Sequence, residues 1–414
     1  VPDTLPEVAV NAAPLRSDDP LRGAAELHAE ALVAFLQRLI QTPGLPGQEA
    51  DIAALVVAEM RSLGCYDDVA VDAAGNVVGF IAGGRGRSLM LNTHLDHVDV
   101  GDHARWPSPP FAGEVRDGAV WGRGAMDIKG PLAAQVYAPA VLRSAGMKPA
   151  GDLYVTCVVM EEVGGVGARV LVEHLAPDLA VVGEATSGRV ARGHRGRVEL
   201  EVTFSGRSAH ASAPERGANP HYASARFLDA LSALPMSLDA ELGAATVAPT
   251  LVRTDNVSPN VIPSVISLTL DWRVVPGETV DTLIARLAPL ADAACAPGVR
   301  ADVRLREDTW RTYTGLERTY PSVAPAFLRP ADDSLVRAAC DVLSDCLGAP
   351  VPVQLWRFAT DGGHFAAAGV STIGYGPGDE TLAHTIEERI ELTELVHGLA
   401  GNATLAARLG EMNV

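Results

Sequence analysis

A chain of 414 residues exceeds what one core comfortably holds and is expected to divide into two or three domains. Lys and Arg number 33 against 51 Asp and Glu, a formal charge of −18. That balance repels nucleic acid and anionic membranes and leaves small molecules as the expected partners. Hydrophobic residues make up 48% of the chain, enough for a substantial buried core. The five cysteines, Cys65, Cys157, Cys295, Cys340 and Cys346, are scattered with no CxxC spacing, so they read as buried thiols in a reducing compartment. No apolar run approaches the ~18 to 20 residues of a membrane span. The start, VPDTLPEVAV, lacks the basic-then-apolar order of a signal peptide. Cytoplasmic residence is the resulting expectation.

In chain order, a Pro-rich polar arm runs to about Leu21. Leu27, Leu32, Phe35, Leu36, Leu39 and Ile40 then fit one face of a helix that TPGLPG ends, and a second helix runs from about Glu49 to Leu63, closed by Gly64. Short β segments follow in DDVAVD, NVVGFIA and SLMLNT, and a helix spans Pro131 to Leu142, with Pro in its first turn. The continuous apolar run at 153–160, LYVTCVVM, predicts a strand buried on both faces, and LAVVG a further strand beyond a helix that ends near Leu175. Strand, helix, strand alternation argues an α/β sandwich with a largely parallel or mixed sheet, whose sites lie past strand C-termini.

Near Gly193 the pattern changes. In RVELEVTF, Val198, Leu200, Val202 and Phe204 alternate with polar residues, and VISLTLDWRVV alternates likewise through Ile266, Leu268, Leu270 and Trp272. With a helix from about Pro220 to Leu234, a strand near Thr250 to Thr254, a helix in TVDTLIARLAPLADAA and a strand in VRADVRLR, the order is β-α-β-β-α-β, a ferredoxin-like unit. Residues 192–308 are therefore expected to form a domain inserted into a discontinuous α/β domain made of 1–191 and 309–414. The latter part carries a helix from Asp332 to Leu347, strands around Val351 to Trp356 and in VSTIGYG, and a final helix from Glu391 to Leu409.

Five stretches bear acidic or histidine residues after apolar strands or glycine-rich turns: HLD at His94, GRGAMDIKG with Asp127, VVMEEVGG with Glu161 and Glu162, VVGEATS with Glu184, and GPGDETLAHTIEE with His384. None is decisive alone, since an isolated Asp after glycine is more often a turn or cap residue and an isolated Glu pair is usually a solvated strand end. If the strand ends converge, Asp96, Asp127, Glu161, Glu162 and Glu184 contribute a formal −5 around neutral His94 and His384. Carboxylates that close raise one another's pKa and cannot all stay ionised without counter-charge. Two divalent cations would bring −5 + 4 = −1, and mixed histidine and carboxylate ligation suits zinc, with cobalt or manganese as substitutes.

Taken together and in this order, with an inserted ferredoxin-like unit, these stretches resemble the co-catalytic zinc hydrolases that include aminoacylases, glutamate carboxypeptidase, acetylornithine deacetylase and succinyl-diaminopimelate desuccinylase. The resemblance runs from about Leu27 onward. It implies that Asp127 bridges two metals, that His94 and Glu184 complete one site and Glu162 and His384 the other, and that Asp127 to Ile128 is a cis peptide. Glu161 matches the general base that takes a proton from the attacking water and passes it to the leaving amine, and Asp96 matches the residue that orients His94. His210, in SGRSAHASAP, matches a residue that reaches the partner subunit's site to stabilise the oxyanion, so a homodimer through the inserted domain is implied. Asn260, Arg273 and Gly362 match the grip on a substrate α-carboxylate. His97 points away from Asp96 if the strand persists and is not counted as a ligand.

Two positions depart from the family pattern: Gly363 stands where many relatives carry Arg, and Ala185 where Pro is common. RGHRGR, SAPERGANP and GYGPGDETLAH resemble the selenium-metabolism-linked hydrolases of that family, and GRGAMDIKGPLAA resembles its lysine-biosynthesis deacylases. The implied activity is a dinuclear metallohydrolase that cleaves an amide next to a free α-carboxylate, as an N-acyl-amino-acid deacylase or a dipeptidase or carboxypeptidase. Rotation of the inserted domain, with hinges near Arg192 and Asp308, would close it over substrate. An aminopeptidase or N-carbamoyl-amino-acid hydrolase differs in the substrate end it grips. A non-catalytic ligand-binding protein on the same fold would have no use for Glu161.

Overall fold

The computed structural model describes residues 19–411, so nearly all of the expected N-terminal arm lies outside the described residues. A nine-stranded mixed sheet forms the centre of the larger domain. Six of its strands come before the insertion: β1 (Asp68–Val71), β2 (Val77–Ile81), β3 (Leu89–His94), β4 (Leu153–Val158), β5 (Leu179–Val182) and β6 (Val190–His194). β4, β3 and β5 lie side by side and parallel. Leu89 and Leu91 join the main core on one face of the sheet, whereas Met90, Val158 and Val182 pack into a smaller core on the other. Burial on both faces is what makes these strands read as unbroken apolar runs.

Helices α1 (Pro20–Leu27), α2 (Ala29–Gln41), α3 (Ala50–Leu63) and α4 (Gly130–Ser144) supply much of the main core. The expected single helix carrying Leu27 is two helices: α1 ends at Leu27, whose side chain is 80% exposed, and the apolar stripe proper begins at Leu32. A break at His28 rotates Leu27 off that face. α3 ends, as expected, at Gly64, whose φ of 61° is a left-handed cap. Cys157 and Cys346 are buried, while Cys65, Cys295 and Cys340 are only half-buried, and all five are free thiols.

α5 (Val166–Leu171) follows β4. The smaller domain then runs through β7 (Gly196–Ser205), α6 (His221–Ser232), β8 (Thr246–Thr254), β9 (Val265–Val274), α7 (Val280–Ala294) and β10 (Arg300–Leu305). Its antiparallel sheet has the order β8-β9-β7-β10, the ferredoxin-like arrangement. Val198, Leu200, Leu268, Leu270 and Trp272 face Phe227 and Leu231 of α6 and Leu283 and Leu287 of α7. The chain enters this sheet between His194 and Gly196 rather than at 192. It also returns later than 308, because Val323–Ala324 still pairs with β7. Between β10 and that pairing, Glu307–Arg311 and Glu317–Pro321 form an unforeseen hairpin. Its tip lies on the larger domain, where Tyr313 donates to the Gly75 carbonyl at 3.1 Å and Thr314 to that of Ala73 at 2.7 Å.

β11 (Phe327–Leu328), α8 (Ser334–Leu347), β12 (Val353–Trp356), α9 (Gly362–Ala367), β13 (Ser371–Gly374) and α10 (Leu392–Arg408) complete the larger domain. Among the described residues no helix is long and apolar enough to cross a membrane. α10 lies almost wholly buried from Gly398 to Ala407, close enough to Tyr375 that a Cβ at Gly401 would overlap its ring and hydroxyl. Replacing a helical Gly by Ala ordinarily stabilises by about 1 kcal/mol. At Gly401 the overlap reverses the sign, and Gly401→Ala is expected to cost about 1–3 kcal/mol, read as a lower midpoint in urea unfolding.

Candidate metal centre

Because β4, β3 and β5 are parallel neighbours, their C-terminal ends lie along one edge and the residues just beyond them converge. β3 ends on His94 itself, Glu161 and Glu162 follow β4, and Glu184 follows β5. Met160, with φ at 55°, turns the chain immediately before the two glutamates. Asp127 reaches in from the residues before α4 and is joined to Ile128 by a cis peptide, as the resemblance implies. His384, also at positive φ (61°), comes from the loop after β13.

Asp127 lies between the two imidazoles: Oδ1 is 3.4 Å from His94 Nε2 and Oδ2 is 3.2 Å from His384 Nε2. Glu184 Oε1 is 3.5 Å from His94 Nε2, Glu162 Oε2 is 3.2 Å from His384 Nε2, and Glu161 Oε2 is 4.0 Å from His94 Nε2. His94, Glu161 and Glu184 place potential ligand atoms within 4.8 Å of one another, as do His94, Asp127 and Glu162.

The tautomer of His94 tests whether this set suits a cation. Its Nδ1 is 3.0 Å from the Asp96 carbonyl oxygen, which can only accept, so Nδ1 carries the hydrogen. Nε2 then turns a lone pair toward the oxygens of Asp127 and Glu184. It is buried and has no hydrogen-bond partner among the described residues. A lone pair facing carboxylates is repulsive unless a proton or a cation lies between them, and the donor set fits divalent cations. Without a cation, a proton takes that place. Burial opposes charging of His94, yet its contacts with Asp127, Asp96 and Glu184 hold its pKa well above the usual histidine value. Contacts with Asp127 and Glu162 hold His384 up to about 10. Burial raises Glu161 well above the ordinary carboxylate range and lifts Glu162 to about 7.

Asp96 lies just past the end of β3. Its carboxylate receives the N–H of Glu161 at 3.0 Å and of Glu162 at 3.1 Å, while its carbonyl orients His94. His97 is buried away from the cluster, accepting the Gly44 N–H at 3.0 Å and bonding the Val98 carbonyl at 2.8 Å. A further support is absent from the sequence-based set: buried Glu388 receives the N–H groups of Met126 (3.3 Å) and Asp127 (3.1 Å) and pairs with Arg123 at 2.5 Å. Its signal was present in TIEER and GRG, where a charged residue ordinarily reads as solvated.

A cavity of about 260 Å³ joins Asp127, Glu161, Glu162, Glu184 and His384 to Arg197 and Arg273 of the smaller domain and to Thr360, Asp361 and His364. Arg273 therefore faces the cluster, with Arg197, its cross-strand partner in the sheet, beside it. Gly362 is buried next to this lining. His210 and Asn260 are not brought to the cluster within the chain. Both are exposed on the smaller domain, where Ala211 N–H donates to the Asn260 carbonyl at 2.9 Å.

This architecture, with histidines and carboxylates gathered at the end of an α/β sheet beneath a ferredoxin-like lid, defines a metallohydrolase of amide and peptide bonds. Residues 90–408 match the model of peptidase family M20/M25/M40, and the chain belongs to that family. The uncharacterized protein YgeY of Escherichia coli (strain K12) is 29% identical over 371 residues, 88% of this chain and 91% of its own. The succinyl-diaminopimelate desuccinylase of Cereibacter sphaeroides is 29% identical over 385 residues, covering 88% and 94%. A Staphylococcus aureus tripeptidase superposes with a TM-score of 0.74 at 20% identity, over 93% of this chain and 99% of its own, a likeness of fold.

Since both imidazoles must be neutral to ligate and are held protonated in the metal-free protein, cation binding is expected to release protons. Apparent affinity should rise roughly tenfold per pH unit for each proton released between pH 6 and 8. Calorimetry in buffers of differing ionisation enthalpy counts those protons, and pH-independent affinity would contradict the expectation.

Proposed function

We propose that this chain is a dinuclear, zinc-dependent amidohydrolase that cleaves an amide next to a free α-carboxylate, as an N-acyl-amino-acid deacylase or a dipeptidase. The observation that carries this reading is Asp127 set between His94 and His384 with half-buried Glu161 alongside. Asp127, His94 and Glu184 would hold one cation, and Asp127, Glu162 and His384 the other, with cobalt or manganese as substitutes for zinc. When bound, the pair supplies Lewis-acid polarisation of the amide carbonyl and an acidified water.

The remaining work falls to the chain's own residues. Glu161 accepts a proton from water as its oxygen attacks the amide carbon, then gives that proton to the leaving nitrogen as the C–N bond breaks. Its raised pKa suits it to hold the proton between the two steps. Arg273 receives the substrate carboxylate from the lid side. That a desuccinylase is among the relatives of similar length supports an acyl-amino-acid substrate. The lid comprises roughly 195–324, and its movement about the two crossings would admit substrate.

A homodimer completes the proposal. β8 is an edge strand, exposed along nearly its whole length, with Leu251 and Val252 turned outward. His210 and Asn260 would then serve the partner's site. Light scattering should give twice the chain mass for the wild type and a smaller mass for Val252→Lys, whose activity falls with dimer content. In a panel of N-acyl amino acids and dipeptides, Glu161→Gln should lose about 10²–10⁴ in kcat with metal content unchanged. Arg273→Ala should raise KM for carboxylate-bearing substrates alone. A zinc- or cobalt-loaded protein that hydrolyses nothing in the panel would overturn the reading.

A further inference from the structure

Asp361 has no place in the reaction as derived, yet it lines the same cavity as Glu161, Glu184 and Arg273. Its side chain is only 3% exposed, and both carboxylate oxygens lack a hydrogen-bond partner among the described residues. It stands at the N-cap of α9 without making a cap bond. Nor is it in either group of potential metal ligands. The nearby guanidinium of Arg169 is committed elsewhere, to the carbonyls of Gly164, Pro321 and Val323.

The turn that carries Asp361 is fixed. His194 Nδ1 bonds the Arg195 carbonyl at 2.9 Å, which leaves Nε2 to accept from both the N–H and the hydroxyl of Thr360, each at 3.1 Å. The Thr360 hydroxyl oxygen in turn accepts the Gly362 N–H at 3.1 Å. Asp361 is thus clamped from both sides of the turn with its carboxylate unsatisfied. A buried carboxylate without donors is costly, and side chains are ordinarily arranged to relieve it. Two bound divalent cations would not neutralise it either: with Asp361 counted, six carboxylates against +4 leave −6 + 4 = −2.

We propose that Asp361 receives a protonated amine of the substrate, so that the preferred substrate is zwitterionic, its carboxylate on Arg273 and its ammonium on Asp361. This rests on the amidohydrolase reading and narrows its substrate class to dipeptides and acylated diamino acids.

Matched pairs test it: glycyl-leucine against glycolyl-leucine, and Nα-acetyl-lysine against Nα-acetyl-norleucine. The zinc-loaded wild type should favour the amine-bearing member of at least one pair by about tenfold to hundredfold in kcat/KM. The isosteric Asp361→Asn should reduce that preference to within about threefold, mainly through KM. Binding of the same pairs to Glu161→Gln protein, followed by calorimetry with and without Asp361→Asn, reads the preference without turnover. It decides the point even if none of the four compounds is cleaved, an outcome that would count against the amidohydrolase reading instead. Indifference to the amine in both pairs overturns the proposal. So does a preference that survives Asp361→Asn while both members lose activity in parallel, the pattern of a field acting only on Glu161.

Discussion

Six carboxylates, those of Asp96, Asp127, Glu161, Glu162, Glu184 and Asp361, converge where three parallel strands end, and their mutual repulsion is the constraint to which the rest of the site answers. Burial raises the pKa of Glu161, Glu162, Glu184 and Asp361, and neighbouring carboxylates raise it further while His94 and His384 offset part of the effect. The chain offsets the repulsion in two ways. Asp127 has an imidazole against each oxygen, and Asp96 has two backbone N–H groups. The others depend on protons or cations, so the electrostatics of the folded chain anticipate divalent metal.

Placement of these groups is carried largely by the backbone. Asp96 fixes the peptides of Glu161 and Glu162, Glu388 those of Met126 and Asp127, and His194 the peptide of Thr360. Where the acceptor is an ionised carboxylate such a bond contributes about 1.5–3 kcal/mol, less at the neutral His194, and all of them restrain the main chain from which the reactive side chains hang. Glu388 is itself held by Arg123, whose guanidinium also lies 4.9 Å from the centroid of Trp106. Removing either partner of such a buried pair leaves an uncompensated charge, so the support couples Asp127 to a residue more than 250 positions away in the chain.

Much of this was legible in the sequence because it follows local periods. Alternation in RVELEVTF and VISLTLDWRVV foretold the ferredoxin-like sheet, since a one-sided sheet must alternate. The five acidic or histidine-bearing stretches stood just past predicted strands or glycine-rich turns, and the structure draws their side chains together. What escaped depends on tertiary context. Leu27 fits the helical period but falls beyond a break. The hairpin at 307–321 reads as neither a core strand nor a loop, because its contacts lie with the other domain. Glu388 and Asp361 are charged residues buried by neighbours far away in sequence, and no local pattern distinguishes them from solvated ones. Glu199 is similar: alternation places it on the open face of β7, yet it is buried there between Arg197 and Arg306.

That open face shows how the lid can meet so acidic a floor. Arg273, Asp271, Arg197, Glu199, Arg306 and Asp308 form a ladder of alternating charge, with Asp271 2.7 Å from both Arg273 and Arg197 and Arg306 bridging Glu199 at 2.6 Å and Asp308 at 2.7 Å. The ladder is neutral as a whole, so the lid sheet carries its arginines without self-repulsion, and each guanidinium is held in a set orientation by a carboxylate behind it. Facing the cavity, however, the lid presents Arg197 and Arg273, whereas the floor presents carboxylates. A substrate entering between the two surfaces therefore meets a field that runs from positive to negative across the cavity. Closure of the lid, as proposed, would strengthen that field by excluding water. Under the proposed activity, orientation would precede contact: a substrate carboxylate would be drawn to the lid and the scissile amide turned toward the floor, beside Glu161.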